Sequence, residues 1–195
     1  MEKNIGNINK MDKLESKKVK ISTIWCEGCS GCHMSMLDMD ERLVDLIRKG
    51  VVFSASPITD LKVPEDDVDI GIIEGSVATD TQEEEVKLMR EKCKIIIAIG
   101  DCAVFGGIPT MRNFYKVSDL FNRVYSEAET NFNKHFPNSK DISKLLPRVK
   151  AVNEVIKVDY YIPGCPPSAD AIFYVLNEIL EGRSPKLQGD KLSYE

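Results

Sequence analysis

W-C-E-G-C-S-G-C-H-M-S-M-L-D-M-D-E, residues 25–41, follows an apolar, β-branched run at residues 19–24 and opens a segment with helical periodicity. Its cysteines Cys26, Cys29 and Cys32 are separated by two residues each, a spacing that lets neighbouring thiols face one metal centre. Two glycines between them permit positive φ values, and the start of the following helix offers free N–H groups to an anion. The stretch suits an iron–sulfur cluster, while a structural zinc, a redox dithiol and three buried thiols remain open.

The composition narrows the class of protein. A chain of 195 residues is long enough for one domain with a full core, and its net charge of −5 disfavours a nucleic-acid partner. No apolar run reaches the roughly eighteen residues of a membrane span. The N-terminus lacks the apolar core of a signal peptide and a twin-arginine pair, so we predict a cytoplasmic protein. In that reducing compartment, cysteines serve as ligands, redox groups or buried thiols rather than as disulfides.

Short apolar runs alternate with helical segments through the rest of the chain. This alternation predicts an α/β fold with a doubly wound parallel sheet. The predicted domains are an N-terminal arm at 1–18, a folded domain at 19–182 and a C-terminal tail at 183–195. We predict strands at 19–25, 51–56, 68–73, 94–99 and 155–162, and helices from the cysteine stretch to 49 and at 80–92, 116–129, 142–146 and 169–180.

Five of the six cysteines follow a predicted strand, at the carboxyl edge where such sheets bind ligands. The sixth, Cys93, begins the fourth strand at the opposite edge and is interpreted as a small buried hydrophobe. A 4Fe-4S cluster takes four thiolates. Zinc ribbons usually bring two close-spaced pairs, whereas here one pair is local and single cysteines arrive from distant loops, so the pattern favours iron–sulfur over zinc. The cysteines at the carboxyl edge are Cys26, Cys29, Cys32, Cys102 and Cys165.

Four motifs carry a resemblance to a known family. They are G-C-S-G-C-H-M-S-M-L-D-M-D-E at 28–41, I-E-G-S-V at 73–77, G-D-C-A-V-F-G-G-I-P at 100–109 and Y-I-P-G-C-P-P-S-A-D at 161–170. Together they resemble the small subunit of NiFe-hydrogenases, in particular the short cytoplasmic form of the bidirectional NAD(P)-linked enzymes. The similarity covers about residues 19–182. The related quinone-reductase subunit of complex I shares P-G-C-P-P but has adjacent cysteines in its first motif.

This resemblance implies one 4Fe-4S cluster, proximal to the nickel–iron site of a separate large subunit. Cys26 lies outside the ligand positions of the family motif and is expected to be a buried thiol or to lie beside the ligands. His33 either contacts the large subunit or is a polar residue in the first turn of the helix. Glu74 either belongs to a proton or interface network or caps nearby backbone. The implied ligands are Cys29, Cys32, Cys102 and Cys165.

The resemblance further implies an electron-transfer subunit of a cytoplasmic hydrogenase. Hydrogen would be split, or protons reduced, at the nickel–iron site of the partner, so no catalytic residue is predicted in this chain. Electrons would pass one at a time to an NAD(P)-reducing or ferredoxin-linked module, built of iron–sulfur and flavin diaphorase subunits. The sheet is similar to flavodoxin in outline, but the sequence lacks a flavin-specific motif and no FMN is predicted. Two other functions stay open: a complex I-type 4Fe-4S electron carrier without hydrogenase activity, and a zinc-stapled scaffold.

Overall fold

The computed structural model describes residues 18–192, so the predicted N-terminal arm lies outside the described residues apart from Lys18. The strands are β1 (Val19–Trp25), β2 (Val51–Phe53), β3 (Val68–Glu74), β4 (Val77–Thr79), β5 (Cys93–Ile99), β6 (Leu145–Lys150) and β7 (Tyr160–Ile162). The α-helices are α1 (Gly31–Leu37), α2 (Glu41–Arg48), α3 (Asp80–Lys92), α4 (Gly100–Phe105), α5 (Val117–Phe121) and α6 (Ala169–Leu180).

The central sheet has five parallel strands in the order β2–β1–β3–β5–β7. Buried aliphatic residues fill β3 and β5 because helices cover both faces of the sheet. This arrangement is the doubly wound parallel sheet that the sequence predicts. The carboxyl ends of three neighbouring strands are in register, with Glu74 paired to both Trp25 and Ile99. The loops that follow these strands therefore meet at one edge.

Two apolar layers cover the two faces of the sheet. The first contains Met36 of α1, Leu46 of α2 and Ile172 of α6, together with Cys32. The second contains residues of α3 and α4, and Cys26 packs against it. Cysteines six residues apart in the sequence thus belong to opposite layers.

The two longest helices begin with side-chain caps. The Thr79 hydroxyl accepts a hydrogen bond from the Gln82 N–H, and the Gln82 side chain bonds back to the N-cap backbone, which forms a capping box for α3. The Ser168 hydroxyl accepts from the Ala171 N–H at the start of α6. Both helices begin where the sequence predicts them.

The continuous helix predicted from the cysteine stretch to residue 49 is wrong. Helix α1 ends at Leu37 and α2 begins at Glu41, with Asp40 between them at φ 50°. A right-handed helix cannot continue through a positive φ, so the chain turns there.

The region between α4 and α6 also departs from the prediction. The helix expected at 142–146 is absent from the described chain, because β6 pairs antiparallel with β4, which the sequence did not indicate. The helix expected at 116–129 is limited to α5 and a π-helical turn at Asn122–Ser126. The strand expected at 155–162 shortens to β7 because the chain before it forms a 3-10 turn at Val152–Glu154 and a loop.

The described part of the tail folds back onto α6. The Lys186 N–H donates to the Tyr174 hydroxyl at 3.4 Å, and the Lys191 ammonium lies 3.3 Å from the centre of the same ring. The boundary at residue 182 stays a prediction. Among residues 18–192, no helix combines the length and apolar character needed to cross a bilayer.

Candidate metal centre

Four cysteines line one cavity at the carboxyl edge of the central sheet. Cys29 and Cys32 come from the loop and helix after β1, Cys102 from α4 after β5, and Cys165 from the loop after β7. Within residues 18–192, no three His, Cys, Asp or Glu side chains meet closely enough to hold a single metal ion, and the thiols surround the cavity rather than a point. The structure thus brings together the four predicted ligands from three separate segments, each of which follows a strand of the central sheet.

Two glycines, Gly100 and Gly107, leave space for the sulfur atoms of Cys32 and Cys102. A Cβ on Gly100, which has φ +82°, would lie closer than 3.0 Å to the Cys32 Sγ. A Cβ on Gly107, at φ +51°, would lie 2.9 Å from the Cys102 Sγ. Any larger residue at either position would push a sulfur aside. Three other glycines, Gly28, Gly31 and Gly164, line the cavity itself. Four thiols in such a cavity fit a 4Fe-4S cluster, because thiolates are its ligands and the glycines allow close approach of the backbone.

The cavity thiols influence one another electrostatically. Burial raises the pKa of Cys32, and the charges of Glu74, Cys102, Cys29 and Cys165 raise it further. Burial also raises the pKa of Cys102, against a hydrogen bond from the backbone of Ile108 that lowers it. Metal ligation requires the thiolates, so a bound cationic centre would have to supply the charge that favours deprotonation.

The two remaining cysteines lie elsewhere. Cys26 packs in the layer of α3 and α4, where burial, followed by the charges of Glu85, Glu27 and Glu74, raises its pKa to about 12. Cys93 is 4% exposed at the start of β5, and burial raises its pKa to about 11. The structure therefore separates Cys26 from the four cavity thiols, although the sequence places it beside them.

Glu74 lies at the end of β3, 3% exposed, and lines the same cavity. It accepts hydrogen bonds from the backbone N–H groups of Cys32 (3.1 Å) and His33 (2.9 Å), and the Nδ1 of His33 contacts the same carboxylate. Burial alone would raise the pKa of Glu74, but the hydrogen bonds from the His33 ring and from these two N–H groups hold it below its usual range. The backbone-capping interpretation of Glu74 therefore describes its contacts in this chain.

Asp101 joins two of the cysteine loops, a role that sequence reasoning missed. Its carboxylate accepts the N–H of Gly164 at 2.8 Å, and its own N–H donates to the Gly164 carbonyl at 2.8 Å. This pair of bonds fixes the segment around Cys102 against the segment around Cys165. The signal available in the sequence was an aspartate directly before one candidate ligand and a glycine directly before the other.

Comparisons with known proteins show the family to which the chain belongs. The family profile of the NADH ubiquinone oxidoreductase, 20 Kd subunit, matches residues 29–179. The NAD-reducing hydrogenase HoxS subunit delta of Cupriavidus necator is 41% identical over 169 residues, which cover 85% of this chain and 80% of that protein. The chain belongs to the NiFe-hydrogenase small-subunit family. A chain in the crystal structure of an NAD+-reducing [NiFe]-hydrogenase in the H2-reduced state superposes on this small subunit with a TM-score of 0.87 at 37% identity, over 92% of this chain and all of that one.

An archaeal relative of this small subunit is longer. The iron-sulfur subunit of the F420-non-reducing hydrogenase of Archaeoglobus profundus is 37% identical over 86% of this chain, but the match spans only 57% of that protein. These relatives are hydrogenase subunits by name, so the family resemblance predicted from the four motifs is confirmed. A complex I-type carrier without hydrogenase activity is not favoured.

Proposed function

We propose that this chain is the electron-transfer small subunit of a cytoplasmic, NAD(P)-linked NiFe-hydrogenase. In this proposal it holds one 4Fe-4S cluster and docks on a large subunit that carries the nickel–iron site. The observation that carries the proposal is that four thiols from three separate segments of the chain line one cavity. The proposed ligands are Cys29, Cys32, Cys102 and Cys165.

The protein's contribution to the chemistry is placement and electrostatics. When bound, such a cluster supplies one-electron transfer. The chain holds the thiols on the ends of a rigid parallel sheet, and the paired hydrogen bonds between Asp101 and Gly164 fix two of the loops relative to each other. Hydrogen activation belongs to the partner subunit in this proposal, which assigns no residue of this chain a role as acid, base or nucleophile.

Exposed apolar residues that follow the proposed ligands in the sequence support the proposal of a large partner subunit. Phe105 of α4 is 65% exposed, Ile108 is 69% exposed and Met34 of α1 is 59% exposed. Phe105 and Ile108 follow Cys102 closely, and Met34 follows Cys32. Large exposed apolar residues beside a functional site mark an interaction surface. We assign this surface, defined by Met34, Phe105 and Ile108, to the large subunit.

The electron acceptor is proposed from the relatives. The HoxS delta subunit belongs by its name to an NAD-reducing hydrogenase. We propose that the present chain likewise passes electrons to an NAD(P)-reducing or ferredoxin-linked module with iron–sulfur and flavin diaphorase subunits. A cytoplasmic location is part of the same proposal.

Metal analysis of anaerobically purified protein tests the cluster and its partner. The isolated chain should contain about four iron and four sulfide per molecule. It should also absorb visible light, which distinguishes an iron–sulfur cluster from a colourless zinc site. The complex should also contain nickel. A colourless zinc protein would refute the electron-transfer proposal, an iron content near eight would show a second cluster, and a complex without nickel would point to the complex I-type carrier.

Serine substitutions test the ligand set. Replacing a soft thiolate by a harder oxygen is poorly tolerated by iron–sulfur clusters. Serine at Cys29 or Cys102 should therefore remove or strongly alter the electron paramagnetic resonance signal and abolish hydrogen-dependent NAD(P) reduction. Cys26→Ser and Cys93→Ser serve as controls that should keep the signal. Loss of the cluster in Cys26→Ser with retention in Cys29→Ser would refute the assignment.

A further inference from the structure

Helix α1 begins without a cap from its own sequence. Ser30, at the N-cap position, has φ 65°, makes no side-chain cap hydrogen bond, and is followed by no acidic residue in the first turn. The N–H groups of the first turn of a helix have no intrahelical partner. An N-cap side chain normally satisfies the second or third of them. In α1 these are the N–H groups of Cys32 and His33.

Glu74, forty-two residues away from Cys32 in the sequence, takes the place of that cap. One carboxylate oxygen accepts the Cys32 N–H and the other accepts the His33 N–H, at 3.1 and 2.9 Å. The backbone carbonyl of Glu74 also accepts the N–H of Cys26 at 2.8 Å. One residue of β3 therefore holds both ends of the loop that carries Cys29.

His33 keeps the carboxylate in one orientation. Its Nδ1 contacts Glu74, and its Nε2 lies 2.9 Å from the hydroxyl of Thr23, which is itself buried. The ring of Trp25 meets the His33 ring edge to face, with centroids 5.3 Å apart. The carboxylate is thus fixed by contacts on several sides in a position that lines the cysteine cavity.

We propose that Glu74 is a positioning residue that presets the Cys29–Cys32 loop and keeps the reduction potential of the bound cluster low. The inference rests on the proposed function, since it requires a cluster in the cavity. The two N–H groups bond to Glu74, which leaves them unable to donate to cluster sulfur. A fixed negative charge at the cavity wall also disfavours the more negative, reduced cluster. Hydrogen bonds to sulfur and local charge are both known determinants of iron–sulfur potentials.

The matched pair Glu74→Gln and Glu83→Gln tests the proposal in the cluster-loaded, full-length chain. Both variants lose one carboxylate, but Glu83 of α3 pairs with Lys87 and Lys150 and does not line the cavity. Glutamine offers one acceptor oxygen, so at position 74 its NH2 would face an N–H donor. We expect Glu74→Gln to raise the midpoint potential in a redox titration followed by electron paramagnetic resonance. Release of iron to a chelator should become on the order of tenfold faster, the effect of losing one charge-assisted hydrogen bond. Glu83→Gln should match wild type in both measurements.

The variant Glu74→Asp separates the effect of the negative charge from the effect of side-chain length. It keeps both oxygens and the charge on a shorter side chain, so its potential should stay nearer wild type than that of Glu74→Gln, while iron release should still be faster. A Glu74→Gln protein with the potential and release rate of Glu83→Gln would overturn the inference. Equal midpoint potentials in Glu74→Gln and Glu74→Asp would overturn the part of the inference that assigns the low potential to the charge of Glu74. If Glu74→Gln takes up no cluster yet unfolds at the same denaturant concentration as Glu83→Gln, the positioning role is supported. A wild-type chain that binds no iron would instead refute the proposed function itself.

Discussion

The substitution Gly100→Ala tests whether this glycine makes room for the sulfur of Cys32, a proposed ligand. Gly100 begins α4 at φ +82°, and the Cβ of an alanine there would lie closer than 3.0 Å to the Cys32 Sγ. Gly182, at φ +72°, provides the matched control because a Cβ there would meet nothing within 4 Å. Both variants place alanine in the left-handed region, and only Gly100→Ala also disturbs a proposed ligand.

The size of the effect follows from two contributions. A left-handed alanine costs about 1–2 kcal/mol in either variant. At residue 100 the new methyl must also reach an ordinary contact distance of at least 3.4 Å, so Cys32 or its surroundings must shift by 0.4 Å or more. Metal-site distances hold to within about 0.2 Å, so a shift of that size exceeds what a bound centre tolerates. The steric contribution therefore decides the outcome for the cluster.

Two measurements on anaerobically purified protein separate the contributions. Gly182→Ala should keep its full iron content and lose about 1–2 kcal/mol of unfolding free energy in a urea titration. Gly100→Ala should lose more stability than this and contain well under the four iron atoms expected of a loaded chain. Gly100→Ala protein with full iron content and the same stability as Gly182→Ala would refute the argument that this glycine makes room for the Cys32 sulfur.

Three further perturbations test other parts of the structure. Phe105→Glu should prevent co-purification with the large subunit and leave the iron content unchanged. Phe132→Glu, at a 92% exposed position in the segment between α5 and β6, should not affect co-purification. Equal binding by both variants would contradict the assigned surface. Because burial raises the pKa of Cys93 from 9.0 to about 11, the unfolded thiol ionises first, and the unfolding free energy should fall by up to about 2–3 kcal/mol between pH 9 and 11. Cys93→Ala should reduce that slope, and an unchanged slope would show that this thiol does not cause it. Asn113→Ala should destabilise the chain by about 1–3 kcal/mol in thermal unfolding. The reason is that the Asn113 side-chain amide makes hydrogen bonds of 2.9 and 2.7 Å to the carbonyl and N–H of buried Val149. A melting temperature equal to wild type would refute this contribution.

Local sequence signals were sufficient to predict the strands and helices whose formation depends on neighbouring residues. Strand β1 occupies Val19–Trp25 as predicted, because its apolar, β-branched residues suit a buried parallel strand. Helix α6 begins after Ser168 as predicted, because a serine N-cap satisfies a first-turn N–H. The pairing of β4 with β6 was missed because it joins segments more than sixty residues apart, and nothing in either segment alone specifies its partner.

The sequence by itself determined the type of ligand at the candidate centre: five thiols that each follow a strand of a parallel sheet, one more than a 4Fe-4S cluster takes. Only the tertiary structure decided which thiols share the cavity. Cys26 and Cys32 lie six residues apart, yet the sheet separates them into opposite layers, while Cys165 reaches the cavity from the far end of the chain. The capping of α1 by Glu74 was decided in the same way, because strand order and register, rather than sequence distance, bring β3 beside the cysteine loop.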